Sequence, residues 1–318
     1  MPKLLKMRVL VTGGAGFIGS HLTDALLSRG DEVSVIDDLS SGRASRLSER
    51  ATLHKLSVTD AGPLAAIVEQ ERPELICHLA AQIDVRVSVA APAQDAQTNI
   101  VGTVNVLEAA RAAGVRVLFC STGGALYGTD APIPSLEDVL PLPESPYGIA
   151  KYCAEQYVDL YNRLHQTRHA VLRLANVFGP RQDPSGEAGV VPIFCGRVLA
   201  GEQPVIYGDG TQTRDYVYVG DVVAAFLAAA DRGRPGTWNI GTGVEVSVLE
   251  LATIIGEAAG RPVEPAFAPL RPGELQRSAL AVERAKVDLG WQASTGLADG
   301  VRAVYEWIGT GAPDRAAY

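Results

Sequence analysis

Tyr147 and Lys151 stand four residues apart in the segment Pro146-Tyr147-Gly148-Ile149-Ala150-Lys151, which opens a helical stretch, so both side chains leave one face of that helix. A phenol with a reference pKa of about 10 is a poor base at neutral pH, and a neighbouring ammonium stabilises its anion enough to make it a usable one. The pair therefore suits proton exchange with a substrate hydroxyl. A second cluster, Gly13-Gly14-Ala15-Gly16-Phe17-Ile18-Gly19, directly follows an apolar strand and opens a helix. Gly13 permits a tight turn, Gly16 lets the backbone approach a pyrophosphate, and Gly19 allows close helix-on-sheet packing, while the helix N-terminus offers free N–H groups to the anion. Asp37, with Asp38 behind it, ends the next strand roughly 20 residues on, where a carboxylate accepts the adenosine ribose hydroxyls and repels a 2'-phosphate. The cofactor expected is NAD rather than NADP, and its positive nicotinamide ring adds to the stabilisation of a Tyr147 anion.

The elements that must carry these residues alternate at βαβ spacing. Strand-like runs at 8–11, 32–37, 52–58, 74–79 and 116–121 are separated by helical patterns at 17–29, ending at Gly30, at 61–71, closed by Pro73, and at 94–113, capped by Gly114. This reads as an α/β chain with a doubly wound parallel sheet of the Rossmann kind, ligands lying at the carboxyl ends of its strands. After Pro180 the regularity loosens into Pro/Gly-rich turns such as Gly179-Pro180-Arg181 and Gly208-Asp209-Gly210. We expect the dinucleotide domain over 1–175 and a smaller C-terminal α/β substrate-binding domain over 176–318, with 214–232 returning to the first.

Composition excludes several other classes. Over 318 residues, 47% are hydrophobic and 20% charged, which fits a globular chain with a full core rather than a disordered or fibrous one. A net charge of -8 without a basic run gives no footprint for nucleic acid or an anionic membrane, and an anionic ligand would need locally placed arginines. The cysteines at 77, 120, 153 and 195 and the five histidines show no ligand spacing, so no metal site is expected. Residues 1–6 read as a short leader, and with neither a signal peptide nor a membrane-length apolar run the expected location is the cytoplasm.

The glycine pattern and Tyr147/Lys151, joined to His78-Leu79-Ala80-Ala81-Gln82, Tyr207-Gly208-Asp209-Gly210, Arg214-Asp215-Tyr216 and Asn239-Ile240-Gly241-Thr242-Gly243, resemble the extended short-chain dehydrogenase/reductases of the NAD-dependent epimerase/dehydratase group over nearly the whole chain. Within that group, Arg181-Gln182-Asp183-Pro184 followed by Gly189-Val190-Val191-Pro192 is similar to bacterial UDP-glucose 4-epimerases. The resemblance implies that Tyr147 takes the proton of the sugar 4-hydroxyl while C4 gives its hydride to the nicotinamide, and that the 4-keto sugar turns and is reduced on its other face. Lys151 would hold the nicotinamide ribose and lower the tyrosine pKa. NAD is regenerated each cycle and should stay bound. The resemblance further assigns NAD contacts to Gly13, Gly16, Phe17, Ile18, Gly19, Asp37, Asp38, Ser41, Gly42, Ser57, Val58, Leu79, Ala80, Ala81, Gln82 and Asn99, and UDP contacts to Asn176, Val190, Val205, Tyr207, Arg214 and Arg271. It implies a homodimer built from the helices at 94–113 and 147–165.

Some positions depart from the group's pattern. Relatives place a Ser or Thr four residues before Tyr127, where this chain has Gly123; Thr122 is the substitute, with Ser121 or a water behind it. Gly124 and Ala125 stand where related 4,6-dehydratases carry an acid/base pair, which removes water elimination. Ser57 replaces an Asp near the adenine. Ser278 stands where some epimerases have a bulky Tyr, leaving room for a 2-acetamido group. Two other readings remain open: 4-epimerisation of another nucleotide sugar such as UDP-glucuronic acid, and a non-catalytic NAD-binding sensor.

Overall fold

A computed structural model describes residues 6–183, 189–270 and 275–311. The chain runs through β1 (Arg8–Thr12), α1 (Phe17–Arg29), β2 (Glu32–Asp37), β3 (Thr52–Lys55), α2 (Ala61–Glu71), β4 (Leu75–His78), α3 (Val85–Ala90), α4 (Pro92–Ala96), α5 (Gly102–Ala113), β5 (Arg116–Thr122), α6 (Pro146–His165) and β6 (Ala170–Leu174). It continues through β7 (Asn176–Phe178), α7 (Val190–Leu199), β8 (Val205–Tyr207), β9 (Thr213–Arg214), β10 (Tyr216–Tyr218), α8 (Val219–Arg232), β11 (Gly236–Ile240), β12 (Val246–Ser247), α9 (Val248–Ala258), β13 (Ala266–Ala268), α10 (Glu283–Leu289) and α11 (Leu297–Gly309).

The doubly wound parallel sheet expected from the βαβ spacing is present, with seven strands in the order β11-β6-β5-β4-β1-β2-β3. Chain order reverses between β1 and β4, whose parallel register sets Thr12 beside His78 at their carboxyl ends. This is the topological switch point, where a doubly wound sheet opens a crevice for ligands. The helix expected over 94–113 is interrupted: α4 passes through a wider π-helical turn at Gln97–Val101 before α5 begins. That extra residue in the turn rotates the helix register and carries Asn99 to a buried position.

Two compact units compose the chain. The first comprises residues 6–126, 143–173 and 226–238 and the second 127–142, 174–225 and 239–311 among the described residues. In the first, Leu10, Ile76, Val117 and Phe119 of the sheet pack with Val106 and Ala110 of α5 and Ala154 and Val158 of α6. The second has its own core, in which Phe178, Phe194, Leu251, Ile255, Val301 and Val304 join short strands to α7, α9 and α11. Its strands pair over long sequence distances, β8 with β13 and β7 with β10. Among the described residues no helix is long and apolar enough to cross a membrane, and no group of three or more His, Cys, Asp or Glu side chains could hold a metal ion.

Candidate active site

The glycine turn after β1 is shaped by contacts that leave no room for side chains. Gly13 has φ +71°, and a Cβ there would meet the Ala80 nitrogen at 2.6 Å; one on Gly19 would meet the Gly13 carbonyl oxygen at 2.1 Å. Gly16 N–H donates to the Gly13 oxygen at 3.2 Å, and Phe17 and Ile18, half-buried, start α1 with no side chain capping its N-terminus. Its first N–H groups therefore remain available to an anion. Asp37 is buried at the end of β2, accepting from Ala15 N–H at 2.9 Å on one oxygen and from Leu39 N–H at 2.9 Å on the other. Burial raises its carboxyl above the ordinary value, opposed by those two backbone bonds. Each oxygen keeps acceptor capacity for a ribose hydroxyl. A Cβ on Gly42 would lie 2.7 Å from this carboxylate, which accounts for the glycine there. Asp38 and Ser41 are exposed, Asp38 accepting from Ser40 N–H and its hydroxyl. Ser57 bonds Thr59 through the two hydroxyls at 2.8 Å, and Val58 is buried with its methyl group over Gly102. The glycine cradle and the buried Asp37 fit a dinucleotide without a 2'-phosphate.

A directed chain of hydrogen bonds positions the loop Leu79-Ala80-Ala81-Gln82 at the switch point. Thr103 Oγ1 donates to the Asn99 carbonyl at 2.7 Å, so it must accept from His78 Nε2 at 3.0 Å; His78 Nδ1 then accepts from Thr12 Oγ1 at 2.7 Å, which accepts Ala80 N–H at 3.3 Å. Burial, with Lys151 nearby, pushes the His78 pKa down to about 3, which keeps the ring neutral and its Nδ1 an acceptor. Asn99 accepts Gln82 N–H at 3.0 Å and donates to the Gln82 carbonyl at 2.9 Å and to Asp95 Oδ1 at 3.0 Å. Both amide protons are spent in shaping the Gln82 loop, and Oδ1 keeps one lone pair.

Ser145 caps α6 by accepting Gly148 N–H at 3.1 Å, with Pro146 in the first turn. Tyr147 and Lys151 thus begin the helix as the spacing predicts. Two close approaches seat this part of α6: Lys151 Nζ donates to the Cys120 carbonyl of β5 at 2.9 Å, and a Cβ on Gly148 would meet the oxygen of Ala125, just past β5, at 2.5 Å. The Lys151 ammonium also lies 4.8 Å from the Phe119 ring centroid. Burial lowers the Lys151 pKa and raises that of Tyr147, the latter helped by the Cys120 thiol and the Asp95 carboxylate. Thr122 Oγ1 accepts Ala125 N–H at 3.2 Å, which leaves its own proton to donate, and Ser121 Oγ is buried without a hydrogen-bond partner among the described residues.

In the second unit, Asn176 opens β7; its N–H donates to the Asp215 carbonyl at 2.9 Å, and its Oδ1 is buried without a partner among the described residues. Val190 is the first residue of α7. Val205 and Tyr207 frame β8, in register with Ala266 and Ala268, and Arg214 lies in β9 with Nη1 on the Thr213 carbonyl. Ser278 is buried. Arg271 lies outside the described residues. Asp215, not singled out from the sequence, organises this region: its carboxylate accepts Thr242 N–H and hydroxyl at 2.8 and 2.6 Å, Gly243 N–H at 3.0 Å and Leu280 N–H at 3.3 Å. Asp95, Thr12 and Thr103 were likewise not singled out. The spacing of Asp95, Asn99 and Thr103, polar residues four apart, was the available signal.

A glycine turn at a helix N-terminus beside a buried carboxylate with free acceptor capacity, plus a Tyr/Lys pair on the helix against β5, is the pattern of an NAD-binding oxidoreductase-type site. The chain belongs to the NAD dependent epimerase/dehydratase family, whose model matches residues 9–241. It is 49% identical to a UDP-glucose 4-epimerase of Mycolicibacterium smegmatis, over 95% of this chain and 98% of the relative. Among solved structures it is similar to the UDP-glucose 4-epimerase of Thermotoga maritima with UDP-glucose, at 45% identity and TM-score 0.94, covering 96% of this chain and 99% of the other. The Thermus thermophilus UDP-glucose 4-epimerase complex with NAD matches at 41% identity and TM-score 0.88, covering 94% and 98%.

Proposed function

We propose that this protein is a 4-epimerase of UDP-hexoses that interconverts UDP-glucose and UDP-galactose with tightly held NAD. The observation that carries the reading is the seating of the first turns of α6, which hold Tyr147 and Lys151, against β5 at Cys120 and against Ala125 just beyond it, in a chain similar to UDP-glucose 4-epimerases along nearly its whole length. NAD, held by the glycine turn, Asp37 and the Ala80 loop, supplies when bound a ring that takes a hydride from the sugar C4 and returns it. Tyr147 Oη accepts the 4-hydroxyl proton as that carbon becomes a ketone, and gives it back when the opposite face is reduced. The Lys151 ammonium stabilises the intervening phenolate, and Thr122 donates a hydrogen bond to the sugar oxygen. Asn176, Val190, Val205 and Tyr207 contact the UDP, with Arg214 and Arg271 on the diphosphate, where guanidinium forks match phosphate oxygens. Ser278 leaves space for a 2-acetamido group, so UDP-N-acetylhexosamines belong to the substrate range.

We further infer a cytoplasmic homodimer joined through α5 and α6. Four free thiols support the compartment. Ile149, Leu160 and Leu164, exposed along α6, and Val101 support the interface. Light scattering should give twice the monomer mass, and Leu160→Glu should halve it.

Incubation with UDP-galactose, no NAD added, should yield UDP-glucose on anion-exchange chromatography, and Tyr147→Phe should lower the rate by about 10³-fold. Absence of conversion with and without added NAD would overturn the reading.

A further inference from the structure

Lys151 holds a buried ammonium whose hydrogen-bond partner is a neutral carbonyl, with an aromatic face beside it. A buried cation needs compensating negative charge, or desolvation removes its proton. The elements packed against α6 are α3, α4, the π turn, α5 and β5, so their charges can be enumerated. Asp84, at the cap of α3, is bonded to Arg86, and Glu108 of α5 is held by Arg111 and by the Tyr161 hydroxyl. On α6 itself, Glu155 is bidentate to Arg173 of β6 and Asp159 pairs with Arg163. Arg116 of β5 donates to the carbonyls of Ala229 and Ala230, and His78, neutral, lies behind the Phe119 ring. Cys120, Tyr152, Cys153, Tyr157 and His165 complete the titratable groups on these elements.

Each carboxylate in that set is matched by an arginine except Asp95. Asp95 is 1% exposed. Its Oδ1 accepts Gln82 Nε2 at 2.9 Å and Asn99 Nδ2 at 3.0 Å, and its Oδ2 is buried without a hydrogen-bond partner among the described residues. Its field reaches both Lys151 and Tyr147. Two amides are enough to fix a side chain but leave its charge unneutralised.

We propose that Asp95 is a positioning residue for the Tyr147/Lys151 pair: it ties Gln82 and Asn99 into the cofactor loop and supplies the negative charge that keeps the buried Lys151 ammonium protonated. The same charge opposes ionisation of Tyr147, so the pair works at a compromise set by α4. This rests on the epimerase reading for its consequence in turnover, but not for its electrostatics.

The test is Asp95→Asn, which keeps the shape and one oxygen for both amides while deleting the charge. In the NAD-bound enzyme, ultraviolet difference titration of tyrosinate, with Tyr147→Phe subtracted, should show the Tyr147 midpoint moving by roughly one pH unit: down through loss of the Asp95 charge while Lys151 stays protonated, and up where Lys151 sheds its proton without that charge. The acid limb of kcat should move the same way, and Asp95→Glu should restore both toward wild type. An unmoved tyrosinate midpoint overturns the proposal, as does a loss of NAD retention with no titration shift, which would make Asp95 a purely structural tie. If Asp95→Asn does not fold, Asp95→Ser carries the same expectation. Should the protein titrate as expected yet convert no UDP-hexose, the substrate reading fails and the electrostatic one stands.

Discussion

Each compact unit buries an aspartate against loop backbone, and the two carboxylates are used to opposite ends. Asp37 in the first unit takes one backbone N–H on each oxygen and keeps acceptor capacity. Asp215 in the second takes four donors from Thr242, Gly243 and Leu280, and a Cβ on Gly241 would lie 2.4 Å from it. Burial alone does not separate an acid able to read a ligand from a structural one; unspent hydrogen-bonding capacity does.

The comparison makes ordered predictions. Asp215→Ala strands three N–H groups, that of Leu280 buried, and the Thr242 hydroxyl, and should cost on the order of 3–5 kcal/mol in urea unfolding. Asp37→Ala strands two N–H groups and should cost about 1–3 kcal/mol while abolishing retention of NAD through gel filtration. Equal losses of stability in the two variants would break the distinction. A smaller effect separates both aspartates from the groups that set acid sensitivity. His169 is buried, with Nδ1 accepting Val117 N–H at 2.9 Å, and burial pushes its pKa down to about 4. A histidine with a depressed folded-state pKa contributes stability that is present above its unfolded value of about 6.5 and lost as pH falls toward 4. Melting temperature should therefore decline across that window, and His169→Gln, which keeps an acceptor for Val117, should flatten the decline.

The first unit was the more legible one because its rules are local. The Gly13–Gly19 turn, Asp37 at the end of β2, helices over 17–29 and 61–71 and the Gly114 cap all follow from neighbours within a few residues. Asn99 was read as a cofactor contact from resemblance alone, and the bonds its side chain makes to Gln82 and Asp95 appear only once the chain is folded. The second unit was legible only as turns and motifs. Its strands are two or three residues long and pair with partners tens of residues away, so no periodicity within a window could reveal them.

By itself, then, the sequence determined the alternation that builds the sheet, the glycines whose missing Cβ atoms define the cofactor turn, and the four-residue spacing that puts Tyr147 and Lys151 on one helix face. These depend on φ, periodicity and chain neighbours. Tertiary structure alone decided the proton direction through Thr12, His78 and Thr103, the neutralisation of Glu155 by Arg173, and the isolation of Asp95. Hydrogen-bond direction and charge balance depend on which distant groups meet in the absence of water, and no local pattern encodes that meeting.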